Sequence, residues 1–377
     1  MISRGGMVRL LVAGLLATAL SLVVDGVGSA AMLREAKQVP AASWRVNGRV
    51  HATTMVGNTV IVGGAFTAAI SPRGVVVRRR NLAAFDMRTG ALLTNWQADA
   101  GAPVWTMEND GVYVYVGGAF GRVDGLLRTR MAKIRVATGV VDPTFRPSFN
   151  GTVRAIDVDA AAVYVGGRFT KVNGATRLRI AKVSRRGTLD QRFRPRSDKV
   201  VWGLAKPRYS STVFVSGPFS RLNGVRRNGV GAVRARTGAT TGRAFAHAAR
   251  PTLGLAVNSD GSRLYGAGGT NTNTAAAWNT RTGARLWGVR VMGDVQAIEY
   301  YRGRVYFGFH DGYKGNRKIK LLSASASTGA VDPHFRPQFN GFWGVLAIDV
   351  SARGVVAGGD FTRVGGVAAR GWVRFRR

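Results

Sequence analysis

The sequence predicts an all-β protein: a seven-bladed β-propeller closed by an N-terminal strand in its last blade. Three observations predict it. The first is a segment, Ala162 to Gly174 (AVYVGGRFTKVNG), that returns in recognisable form about seven times. Its glycine pair stands at Gly63-Gly64, Gly117-Gly118, Gly166-Gly167 and Gly358-Gly359. Degenerate copies at Ser216-Gly217, Ala267-Gly268 and Gly308-Phe309 bring the intervals to 41–54 residues. Repeats of roughly 40–50 residues made of strands and turns indicate propeller blades, each a four-stranded sheet. The second observation is composition: 46% hydrophobic residues with 51 Gly and 11 Pro suit many short strands and tight turns. The third is that the chain ends complement each other. Gly371 to Phe375 reads as a third strand with nothing after it, and Ser43 to Gly48 matches a fourth-strand tail, Phe149-Asn150-Gly151. Filling that outer slot removes an open edge, so deleting residues 41–48 is expected to promote aggregation.

In chain order, residues 1–30 read as a secretory signal. Arg4 and Arg9 precede fifteen uncharged residues, Leu10 to Val24, and Gly28-Ser29-Ala30-Ala31 offers cleavage after Ala30 or Ala31. The run is short of the roughly 20 residues that span a bilayer, and no second one follows. A mature N-terminus at Ala31 or Met32, read by mass spectrometry, is the expectation, with an extracellular or cell-surface monomer. Residues 31–42 form a short N-terminal segment and 43–377 the propeller. The blades are expected at 49–98, 99–149, 150–199, 200–248, 249–292, 293–340 and 341–377. The third copy shows the logic. Val153–Val158 and Ala162–Val165 are strands, rich in β-branched and aromatic residues. Asn173-Gly174 is a turn signal, Ile180–Val183 alternates as a third strand, and Leu189–Phe193 begins a fourth. The aromatics that follow each Thr-Gly turn (Trp96, Phe145, Phe193, Phe335) suit packing between blades.

The runs Val163–Gly174, Ile180–Val183 and Gly139–Pro147 (GVVDPTFRP) resemble the delta-60 repeat propellers of secreted bacterial proteins. The stretches Thr89-Gly90 to Trp96 and Thr282-Gly283 to Trp287 are similar to the docking motif of quinoprotein-like propellers. The resemblance covers about residues 43–377 and implies the fold. It implies no common chemistry, because such repeats encode packing.

Charge points to partners. The chain carries 55 Lys+Arg against 19 Asp+Glu, a net charge of +36, so anionic polysaccharide or another polyanion is the expected ligand. Two clusters are candidates. Arg79, Arg128, Arg177, Arg226 and Arg317 recur before successive third strands, an arrangement for a basic ring on one rim, unless each caps a local carbonyl. His51, Trp105, Arg154, Trp202, Leu253, Gln296 and, past an insertion, Trp343 or Leu346 hold equivalent places at the channel mouth, for ligand contact or for packing. Changing the rim arginines to Ser is expected to weaken polyanion binding and spare the fold. With no cysteine there is no thiolate chemistry. His51, His247, His310 and His334 lack metal-ligand spacing, and no carboxylate pair stands out, with Asp157, Asp159 and Asp349 at strand ends and turns, where turn chemistry explains them. A non-enzymatic binding module without metal or cofactor is therefore the leading expectation. A channel-centred, quinoprotein-like enzyme and a nucleic-acid binder are the alternatives.

Overall fold

The structure, a computed structural model, describes residues 36–270 and 272–377. The expected signal, residues 1–30, lies outside them. The described chain is all-β, with no helix, and folds into many small antiparallel sheets.

Seven of these sheets follow one another along the chain, each starting with a meander of three strands. The third is Val153–Val158, Ala162–Gly167 and Ile180–Ser184, within two residues of the expected bounds. The first strands of the seven sheets begin at Arg49, Val104, Val153, Gly203, Thr252, Val295 and Val345. They neighbour one another in that order, and the strand from Val345 returns to the one from Arg49. No hydrogen-bonded ladder joins one sheet to the next, so side-chain packing holds them together.

The glycine pair makes that packing possible. A Cβ on Gly63 would meet Val104 at 2.7 Å, on Gly117 Val153 at 2.4 Å, and on Gly166 Val201 at 2.5 Å. Gly308 meets Val345 in the same way, and Gly358 meets Val50, which carries the pattern from the last sheet to the first. The second glycine of each pair admits a carbonyl of its own sheet's first strand, Arg49 O at 2.0 Å in the case of Gly64. At neither position does a side chain fit without displacing backbone or core. The aromatics expected between sheets are buried there: Phe145 meets Tyr115 edge-on at 5.4 Å, and Phe193 meets Tyr164 at 5.6 Å.

Four strands per sheet is corrected to three in six of the seven. Only Thr252–Val257, Arg263–Gly268, Thr274–Asn279 and Arg285–Arg290 form a four-stranded sheet among the described residues. Elsewhere the fourth position is a single bridge, such as Ile134 with Val141 or Val183 with Leu189. In the copies where an Asp follows the bridge, its carboxylate turns to the next amides. Asp142 Oδ1 accepts from the amides of Thr144 (2.8 Å) and Phe145 (3.2 Å), and Asp190 repeats this with Arg192 and Phe193. Such local side-chain bonds compete with a ladder. The Asn-Gly turns instead close side hairpins: Lys171–Val172 and Ala175–Thr176 flank Asn173 and Gly174, both at positive φ, as a type I′ turn requires. The 41-residue interval arises where Gly268 leads to Thr274 with no such hairpin between.

The N-terminal segment docks further upstream than expected. Lys37 N donates to Arg376 O at 3.0 Å and Ala41 N to Arg374 O at 3.2 Å, so residues 37–41 line the outer edge of the last sheet. Arg45–Val46 pairs instead with Ala68–Ile70, beside the first sheet. The last and first sheets share a core in which Phe85 stacks on Trp372 at 4.5 Å among Val46, Val50 and Val356.

Candidate functional site

A β-bulge recurs at one place in the first strand of six sheets. The register shifts between Val50 and Ala52, Val104 and Thr106, Val153 and Ala155, Thr252 and Gly254, Val295 and Ala297, and Val345 and Ala347. The extra residues are His51, Trp105, Arg154, Leu253, Gln296 and Leu346. A bulge leaves its extra residue outside the pleat and re-aims the side chain. With Trp202 and Trp343 these residues line one cavity of about 480 Å³. Every candidate mouth residue thus comes together, joined by Arg49 and Asp294.

Within this cavity His51, Trp105 and Arg154 form a stack. The His51 ring lies 4.1 Å from the Trp105 ring, and the Arg154 guanidinium carbon sits 4.2 Å from the Trp105 centroid. Burial, with Arg49 and Arg154 adding positive charge, pushes the His51 imidazole down to about 3, so it is neutral at physiological pH. Burial also lowers Arg154, with Arg168 reinforcing the shift, to about 10, which leaves it charged. Arg154 has no hydrogen bond and no ion pair among the described residues, and its guanidinium lies against the Trp105 indole. Trp202 Nε1 and Gln296 Oε1, both of residues lining the cavity, are buried without a hydrogen-bond partner. At the rim, Lys320 Nζ donates to the carbonyls of Gly341 (2.6 Å) and Phe342 (2.8 Å). That holds out a loop with Phe342 58% and Trp343 41% exposed. Arg49 lies 6.0 Å from the Trp343 ring and 3.8 Å from Asp360.

The arginine rim is corrected. Arg79, Arg128 and Arg177 are only 4%, 3% and 5% exposed. Arg128 Nη1 donates to Leu127 O (2.7 Å) and Nη2 to Asp142 O (2.8 Å). Arg79 does the same with Arg78 O and Thr94 O, and Arg177 with Thr176 O and Asp190 O. Each pins the side hairpin to the start of the fourth position, so these guanidiniums serve the backbone, not solvent. Burial lowers all three pKa values. Arg226 is one residue out of register, since Arg227 carries the equivalent amide bond, to Ser220 O; Arg317 lies on an irregular loop. Both are exposed and neither extends the series. Arg128→Ser and Arg177→Ser are accordingly expected to lose about 1–3 kcal/mol of stability each and to leave polyanion affinity unchanged. Thermal unfolding beside a binding isotherm checks this, and weaker binding at unchanged stability would restore the rim.

Sequence reasoning missed a second layer. Glu108, Asp157, Glu299 and Asp349 each stand three residues beyond a mouth residue on the same strand: Trp105, Arg154, Gln296 and Leu346. They act on one another electrostatically. Burial is the first cause that raises all four, with neighbouring carboxylates adding to it for Glu108 and Glu299. Glu299 is pushed up to about 8, Asp157 and Asp349 to about 6, and Glu108 well above the usual range. Each is surrounded by protein yet keeps a partly open surface. Asp157 accepts from Lys206 N at 2.8 Å and Asp349 from Met55 N. The reading of Asp157 and Asp349 as turn residues is therefore corrected: both lie inside strands. Aligning the copies residue by residue would have found the layer, because the acids share one repeat position. Among the described residues no group of three or more His, Asp or Glu could hold a metal ion.

No protein-family model matches the chain, and no curated protein matches it. Solved structures with a similar fold include the crystal structure of the computationally designed Ika8 protein, at 14% identity and TM-score 0.56, covering 91% of this chain and 100% of that one. A chain of the mitotic checkpoint complex crystal structure is similar at 14% identity and TM-score 0.63, covering 91% of this chain and 96% of that one. Likeness at this identity concerns the fold alone.

Proposed function

We propose that this chain is a secreted, non-enzymatic, seven-bladed β-propeller that holds an anionic group of a cell-envelope or matrix polymer at its channel mouth. Arg154 carries the reading. A partly buried guanidinium without a carboxylate or carbonyl partner is costly, and an anion delivered by a ligand supplies the missing bonds. Stacking on Trp105 fixes its plane, so less is lost on binding. The cavity volume falls in the roughly 300–1,000 Å³ range of small-ligand sites. The resemblance to delta-60 repeat propellers, the cyclic order of first strands and the Gly358–Val50 contact support the fold part of the reading.

Arg154→Gln is expected to weaken binding of an acidic polysaccharide by about 10–100-fold, the worth of hydrogen bonds to a charged group, and to leave the thermal midpoint in place. Calorimetry at fixed salt decides it, with duplex DNA as the comparison ligand. Unchanged affinity sinks the reading, and tighter binding of DNA moves the nucleic-acid alternative ahead. One observation favours the channel-centred enzyme, the elevated Glu299 carboxyl, since shifted carboxylates cluster at catalytic sites. Turnover of a bound polymer that disappears in Glu299→Gln is the result that establishes it.

A further inference from the structure

The cavity carries Arg154 and Arg49 with the neutral His51 stacked beside them, Trp202, Gln296 and Asp294 on the rest of its wall, and a carboxylate layer beyond. Three residues of strand place that layer about 10 Å further along the channel. An anion seated on Arg154 that moved inward would leave its cation and approach Asp157 and Asp349, the members of the layer that are ionised at neutral pH. Like charges at close range in a partly desolvated space repel strongly. The outward direction offers the opposite: exposed Trp343 and Phe342, and Arg49 beside Trp343. Between the two, Trp202 Nε1 is an unmet donor and Gln296 Oε1 an unmet acceptor. A hydroxyl both donates and accepts, so a sugar carrying hydroxyls beside a carboxylate fits that wall. Trp202 makes no ring contact among the described residues, whereas Trp105 is already stacked by His51 and Arg154.

Resting on the anion-binding reading above, we propose that the cavity takes the terminal residue of an acidic polysaccharide. Its carboxylate meets Arg154, its hydroxyls meet Trp202 and Gln296, and the chain leaves across Trp343 and Phe342. The carboxylate layer stops the polymer from threading, so the protein recognises chain ends and ignores chain interiors.

Galacturonate oligomers of increasing length, up to long polygalacturonate, are the probes, and calorimetric stoichiometry is the readout. One protein per chain at every length is expected, with affinity levelling off after a few sugars. A number of bound proteins that rises with chain length overturns end recognition and leaves anion binding standing. If no galacturonate of any length binds, both fall. Oligomers whose terminal carboxylate is methyl-esterified are expected to lose at least tenfold in affinity, and equal affinity overturns the seating on Arg154. Asp157→Asn with Asp349→Asn, which keeps the acceptors for Lys206 N and Met55 N, removes charge from the layer at constant shape. It is expected to tighten oligomer binding several-fold, and unchanged affinity overturns the role of the layer. The wild-type stoichiometry decides the proposal even where that variant folds poorly.

Discussion

Arg374→Met is expected to destabilise the protein by about 3 kcal/mol or more, because several backbone acceptors lose their donor at once in a buried place. Arg374 is 3% exposed and sits in the last strand, Trp372–Arg376. Its Nε donates to Ser43 Oγ at 2.8 Å, and its Nη2 to Ala42 O and Thr89 O, each at 2.8 Å. Its Nη1 donates to Met87 O and Arg88 O, each at 2.9 Å. One side chain therefore ties the last strand to the docked N-terminal segment and to the Thr89-Gly90 turn of the first sheet. Lys133 and Lys182 occupy the same repeat position elsewhere, each paired with its Asp, Asp142 at 2.9 Å and Asp190 at 2.6 Å. In the last sheet Arg374 holds this position, and its guanidinium reaches five acceptors instead. The thermal midpoint should fall by on the order of 5–10 °C, and protease should cut the chain before Trp44 more readily. A loss below about 1 kcal/mol would mean that packing of Phe85 on Trp372 closes the molecule without the arginine.

The carboxylate layer sets the second large effect: stability should fall as pH rises from about 5 to 9. Glu299 and its neighbours bind protons more tightly folded than unfolded, since their folded values of about 8 and about 6 lie above the ordinary values of 4.5 for Glu and 3.8 for Asp. Below the unfolded values both states are protonated and the layer costs nothing. Above the folded values the native state holds mutually repelling charges that the unfolded chain does not, and the penalty is complete. The native state therefore releases its protons later on the pH scale, and stability is lost between those limits, by a few kcal/mol in total. The variant with Glu108→Gln, Asp157→Asn, Glu299→Gln and Asp349→Asn keeps the acceptors for Lys206 N and Met55 N. It should show no decline between pH 7 and 9, and a rise from pH 5 to 7 because His51 stays neutral in the fold while the unfolded chain must give up its proton. Unfolding midpoints at pH 5, 7 and 9 test both, and a wild-type midpoint that does not decline refutes the layer's electrostatics.

Much of the fold was legible because packing repeats and sequence repeats are one thing in this chain. The Gly-Gly pair marks where a neighbouring valine and a carbonyl must approach, and Asn173-Gly174 marks a turn whose two positive φ values few residues accept. The mouth was legible for the same reason: His51, Trp105, Arg154 and Gln296 hold one repeat position, and position in a repeat is position around an axis. The side-chain partners were not legible. Arg128 and Arg154 read alike in the sequence, yet one spends its donors on Leu127 O and Asp142 O and the other keeps them.

The sequence by itself therefore determined the strand order, the sheet boundaries and which residues share a level, because these follow from periodicity and local turn chemistry. Tertiary structure alone decided three things. A fourth strand shrank to a single bridge, and in two of the sheets Asp142 and Asp190 turn their carboxylates on the next amides there. The exposed rim became internal scaffolding, since carbonyls of another segment lay within reach of each guanidinium. Four acids that share one repeat position were brought within interacting range, since strands far apart in sequence stand side by side. Each depends on distances between chain segments, and those distances are set only when the sheets pack.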